Sequence, residues 1–284
     1  MRRLRILKFA VYLLTIIASF YYLNPIYVVC GEIADVKKTN LFNFPKLIQL
    51  VESSNEIDIA EDIEVAKVLE DVNSNLKVAF LSFDDGPSNY TSEVLDVLEE
   101  FNVSAIFFLW GDRILDNLVR SELLLQRMVN GGHQLALHSM NHDFYDLYIG
   151  PHAPARFISQ MTEVSHIIYD LTGVRSYLCR APFGKLGTFT PQHHEAVEQS
   201  SFRCIDWNID PEDWRNESAY LIFEQFVRQV RYLGYPPEIM VLLHDVYART
   251  VEALPMIINF LIENGYEIRP YDSNHEFIFQ NYRM

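Results

Sequence analysis

The hexapeptide Ser82-Phe83-Asp84-Asp85-Gly86-Pro87 constrains this chain more than any other stretch. It follows Val78-Ala79-Phe80-Leu81, an apolar run with the character of a strand buried in a parallel sheet. Two adjacent carboxylates at the end of such a strand are costly, because burial favours their neutral form unless a cation is close. Gly86-Pro87 turns the chain, so the carboxylates face a loop rather than the core. α/β proteins present catalytic groups in this way, at the carboxyl ends of strands. The plain alternative is a capping Asp pair ahead of a helix that starts near Ser88.

From Lys77 the chain alternates between two periodicities. Strands are predicted over Val78–Phe83, Ala105–Leu109, Gln134–Leu137, Tyr177–Cys179, Cys204–Trp207, Ile239–Leu243 and Tyr266–Arg269. Helices are predicted over Tyr90–Phe101, Ser121–Val129, Phe157–Leu171, Pro191–Ser200, Ala219–Leu233 and Val251–Glu263. Gly131-Gly132, Thr172-Gly173 and Asn264-Gly265 supply the stops, with residues that tolerate positive φ. Repeated βα units imply a parallel sheet, and the pattern alone fits a closed barrel and an open doubly wound sheet equally.

Outside this region the character changes. Arg2, Arg3, Arg5 and Lys8 precede an uncharged stretch from Phe9 to Gly31, so residues 1–31 read as an export signal or membrane anchor. Residues 32–76 read as an acidic spacer: Glu52 to Asp71 holds eight acidic residues and one basic, with Val65, Val68, Leu69 and Val72 at helical spacing. Residues 77–272 form the main domain and 273–284 a tail. The net charge of −15 argues against a nucleic-acid partner, which needs a basic face. The three cysteines, Cys30, Cys179 and Cys204, form no CxxC pattern, which argues against a thiolate zinc site. Cys179 and Cys204 fit either a disulfide in an exported chain or two buried thiols.

His138 and His142 lie four apart, a spacing that on a helical turn aims both imidazoles to one side. The plain alternative is two surface histidines. With Asp85 they make a candidate set of two imidazoles and one carboxylate, which leaves positions open as catalytic zinc sites do. Further clusters follow: Arg180-Ala181-Pro182-Phe183-Gly184, Asp210-Pro211-Glu212-Asp213-Trp214 and Leu242-Leu243-His244-Asp245.

In this order and spacing, from Lys77 to Tyr271, the set resembles the polysaccharide deacetylases with a NodB-homology domain, carbohydrate esterase family 4. The resemblance implies an irregular (β/α) barrel of seven strands. It implies Asp85, His138 and His142 as ligands of one divalent metal, with zinc the default and cobalt, nickel or iron accepted by the same donors. It makes Asp84 the base for the attacking water and Arg180 the cation that orients it. The amide of Phe183, after Pro182, matches the family's oxyanion donor, and phenylalanine stands where the family often has tyrosine. His244 matches the acid that protonates the leaving amine, Asp213 its orienting carboxylate, and Leu242 and Trp214 the lining of an acetyl-methyl pocket. In isolation Leu242 and Trp214 read as core, and His244-Asp245 as a strand-end turn.

The expected activity is removal of acetyl groups from an N-acetylated glycan, releasing acetate, by an exported or anchored monomer. The surroundings Gly132 to Ser139 look most like bacterial members acting on peptidoglycan. Chitin, another exopolysaccharide and xylan acetate are rivals within the class. A glycan-binding protein without activity and a small-molecule amidohydrolase are rivals outside it. The filled catalytic positions argue against the first and the apolar N-terminus against the second.

Overall fold

The structure is a computed structural model that describes residues 77–271. Seven parallel strands form one curled sheet: β1 (Lys77–Gly86), β2 (Ala105–Leu109), β3 (Gln134–Leu137), β4 (Leu178–Cys179), β5 (Arg203–Cys204), β6 (Glu238–His244) and β7 (Tyr266–Ile268). The order is β5-β4-β3-β2-β1-β6, and β7 pairs with the first residues of β1. After β5 the chain turns to β6, where Asn208 and Ile209 donate to the Met240 carbonyl and Leu242 donates to Ile209. This curls the sheet into a half-barrel and explains why the expected strand Cys204–Trp207 shrinks to two residues.

The helices are α1 (Thr91–Glu100), α2 (Gly111–Asp116), α3 (Leu118–Asn130), α4 (Phe144–Tyr148), α5 (Ala153–Thr172), α6 (Pro191–Glu198), α7 (Ala219–Tyr232) and α8 (Ala248–Glu263). Cap chemistry matches the sequence at several ends. Ser218 accepts from the Leu221 amide at the start of α7, and Gly173 closes α5 in the left-handed conformation at φ 74°. The expectations for residues 1–76 and 273–284 lie outside the described residues. Among the described residues no helix is long and apolar enough to cross a membrane.

Period-two alternation sorts the sheet into two cores. Ala79, Leu81 and Phe83 join the larger core, with Leu95, Leu98, Phe157, Ile168, Phe226 and Ile257 of the helices. Val78 and Phe80 face the concave side, with Ile106, Phe108, Ala136, Leu178, Ile205 and Met240. Continuing that inner register by twos places Ser82 and Asp84 on β1, His138 after β3, Arg180 after β4, and Leu242 and His244 on β6 along one face. Alternation thus gathers four chemistry-bearing residues at the carboxyl ends of four strands.

Candidate active site

On strict alternation Asp85 would point away from its neighbour Asp84. The backbone prevents this: Asp85 adopts φ 72°, and the β1–β2 register shifts between Asp84 and Gly86. Such a bulge re-aims a side chain at a strand end. Asp85 Oδ1 then lies 3.4 Å from His138 Nε2 and 3.3 Å from His142 Nε2. Gly86 makes room for this turn, since a Cβ there would sit 2.4 Å from Asp245 Oδ2.

His138 and His142 do converge, but not on a helical turn. Residues 138–143 are irregular, with Ser139 at φ 66° and His142 at φ 54°. Ser139 Oγ accepts from the His142 amide, and Gln160 Oε1 accepts from the amides of Met140 and Asn141. An irregular, partly buried loop replaces helical spacing as the cause of the convergence.

The donors fit a divalent cation on their own chemistry. His138 Nδ1 pairs with the Arg180 carbonyl at 3.0 Å, so Nδ1 carries the proton and Nε2 the lone pair. Burial pushes the His138 pKa down to about 3, so its 3.4 Å approach to Asp85 is not an ion pair at neutral pH. Asp85 Oδ1 is buried and has no hydrogen-bond partner. Lone pairs of a carboxylate and a neutral imidazole therefore face each other, an arrangement that a cation relieves. One atom each of Asp85, His138 and His142 lies within 4.8 Å of the others.

Asp84 is held differently. Arg180 Nη1 donates to its Oδ1 at 2.7 Å and to Ser82 Oγ at 2.8 Å. The Arg180 side chain is fully buried, stacked over Phe108 at 4.0 Å, with Trp207 at 5.4 Å. Its remaining donors reach the carbonyls of Ile205 and Asp206. Burial pushes the Asp84 pKa up, against the pull of Arg180 and, after it, His244. A carboxylate whose affinity for a proton is raised is better suited to take one.

Across the site, His244 Nδ1 bonds Asp213 Oδ1 at 2.7 Å, and the His244 amide donates to Asp213 Oδ2. Thr250 Oγ1 also donates to that oxygen. Burial opposes the charged imidazole, but the charge and hydrogen bond of Asp213, then Asp84 and Asp85, outweigh it and push the pKa up to about 9. The Asp84 and His244 backbones are directly paired between β1 and β6.

Phe183 sits at φ 65° with its ring 55% exposed and 4.7 Å from His142, and its amide has no acceptor among the described residues. Tyr148 donates to the Pro182 carbonyl at 2.7 Å. Leu242 is buried on the inner face, whereas Trp214 is exposed, with its carbonyl on Arg249. Cys179 and Cys204 are free thiols on paired strands, Cys179 buried and Cys204 half-buried, which differs from the disulfide and only partly matches two buried thiols.

Several contributors escaped the sequence reading. Ser82 was discoverable, lying two residues before Asp84 on one strand face. Phe108, on the inner face of β2 opposite Asp84, was equally so, whereas Trp207, Thr250 and Tyr148 were not, because no local pattern ties them to the motif residues.

A curled parallel sheet carrying this donor set beside a second, arginine-held carboxylate defines an α/β protein with a candidate metal-ligating centre. The chain belongs to the polysaccharide deacetylase family. A family model described as polysaccharide deacetylase matches residues 71–204. A peptidoglycan-N-acetylglucosamine deacetylase of Bacillus cereus is 32% identical over 203 residues, covering 71% of each chain. A putative polysaccharide deacetylase of Bacillus subtilis, YheN, is 33% identical over 196 residues, 68% of this chain and 67% of its own. The crystal structure of the Bacillus cereus polysaccharide deacetylase Bc1974 superposes with a TM-score of 0.63 at 32% identity, over 71% of this chain and 95% of that one.

Proposed function

We propose that this chain is an exported or membrane-anchored, monomeric N-deacetylase of a cell-wall glycan, peptidoglycan foremost, built on an irregular seven-stranded (β/α) barrel. Asp85, His138 and His142 hold one divalent metal, zinc by default. When bound, that cation supplies Lewis-acid polarisation of the acetamide carbonyl and lowers the pKa of water at the site.

The protein's own groups do the rest. Asp84, fixed by Arg180, takes the proton of the attacking water. The Phe183 amide, presented by its left-handed backbone, donates to the oxygen on which charge develops. His244, kept protonated by Asp213, gives its proton to the departing amine, so that acetate and a free amino sugar result. Leu242, Trp214 and Pro182 border the acetyl group.

The single observation that carries this reading is the division between the two carboxylates. Asp84 is neutralised by an arginine, whereas Asp85 turns an unpartnered oxygen toward two imidazoles. The test is acetate release by the purified full chain from muropeptides and from chitooligosaccharides, with and without a chelator. Chelator-sensitive release, greater from muropeptides, is expected. Greater release from chitooligosaccharides reassigns the glycan, and binding of either without release overturns the enzymatic reading.

A further inference from the structure

Beside the metal-ligating histidines the fold exposes three aromatic rings. Phe183 is followed outward by Phe144 at 5.6 Å, and Phe144 by Tyr145 at 6.0 Å. Tyr145 is 74% exposed and Phe144 39%. None of these exposed faces is needed to close the core: Leu147 and Tyr148 of the same helix fill that role, both buried. Leaving adjacent aromatic surface in water forgoes stabilisation of about 25 cal/mol per Å², so a cluster of this kind marks a contact surface.

The helix that carries Phe144 and Tyr145 is anchored. Asp143 caps α4 by accepting from the Asp146 amide. The Asp146 carboxylate takes bonds from Asn141 and Gln160 and an ion pair from Arg156 at 2.7 Å. Tyr148 ties the helix to the Pro182 carbonyl, next to Phe183. Aromatic rings carried on an anchored backbone lose less entropy when a ligand covers them.

We propose that Phe144 and Tyr145, continuing from Phe183, form a stacking subsite for a pyranose ring of the glycan adjacent to the sugar that loses its acetyl group. The apolar C–H face of a pyranose matches an exposed aromatic face, and the rings follow one another edge to face from His142 through Phe183 to Phe144 and Tyr145. The subsite discriminates by chain length, since a single sugar bound for reaction does not reach the outer rings. This rests on the deacetylase reading, because it takes the sugar beside the reacting acetamide as the ligand.

The test compares the metal-loaded wild type with Phe144→Ala, Tyr145→Ala and Phe144→Trp, on N-acetylglucosamine and on its β-1,4-linked hexamer. For the hexamer, both alanine variants are expected to raise KM roughly tenfold, with kcat within about twofold, whereas the monomer constants hold. Phe144→Trp restores the hexamer KM. A merely structural role would instead lower kcat on both ligands and would not be rescued. Calorimetric titration of Asp84→Asn with hexamer, with and without Phe144→Ala, reads binding apart from turnover. Equal hexamer affinity in the two overturns the subsite, as does an unchanged hexamer KM. Absence of acetate release by the wild type from the hexamer and from muropeptides alike overturns the deacetylase reading instead, and the titration still decides whether the aromatic cluster binds sugar.

Discussion

Asp84 and Asp85 both lie near His138 Nε2, at 3.7 and 3.4 Å, but only Asp84 is held by Arg180, and the variants that separate the two are the sharpest tests of the site. Asp84→Asn keeps an acceptor for Arg180 and leaves Asp85, His138 and His142 intact. Turnover should fall by at least about a hundredfold, with metal content by mass spectrometry unchanged. His138→Ala should lose both metal and turnover. Arg180→Met would leave Asp84 buried without its counter-charge, and should cost about 3–5 kcal/mol in urea denaturation. His244 gives a pH signature. Its folded-state pKa is raised to about 9, so the protonated acid is present below that value and lost as pH rises through it. A bound cation pulls the value lower, so the alkaline limb of kcat/KM should fall at or below about 9. Asp213→Asn should move that limb toward lower pH, because the largest raising influence is removed.

Among the elements, legibility followed the range of the forces that form them. β1 was readable because its apolar run and its alternation are local properties. The seven strands were anticipated in order, and alternation alone would have placed Asp84, His138, Arg180 and His244 on one face. α2 and α4 were not anticipated. Each is five or six residues long, and tertiary bonds hold them: the Gly111 and Asp112 amides donate to Ser139 and Met140, and Asp146 is gripped by three other side chains. The convergence of His138 and His142 was anticipated on a helical turn, and a loop with two left-handed residues produces it instead. The turn after β1 yields an element-level prediction. Gly86→Ala drives a methyl into the Asp245 carboxylate, which Thr91 holds at 2.5 Å. Loss of roughly 1–3 kcal/mol and weaker metal binding are expected, read by thermal denaturation and by metal titration.

At the scale of the whole molecule, a metal taken up at the candidate site is linked to folding. The three donors come from β1 and from the loop after β3, so the site exists only when the sheet is assembled. A ligand that binds only the folded state stabilises it by about 2.7 kcal/mol at one hundred times its Kd. Zinc titration should therefore raise the melting temperature of the wild type and not that of Asp85→Ala, and a chelator should reverse the shift.

Arg180 lies buried in the hollow of the curled sheet, stacked on Phe108 at the edge of the hydrocarbon that fills the rest. Under the function proposed above, fitness for folding and fitness for chemistry weigh upon the same guanidinium. A descendant that discarded Asp84 would inherit an unmatched cation in a dry interior, and its lineage would be driven to repair position 180 next. Decay into an inert scaffold should leave paired scars, an altered aspartate accompanied by an altered arginine.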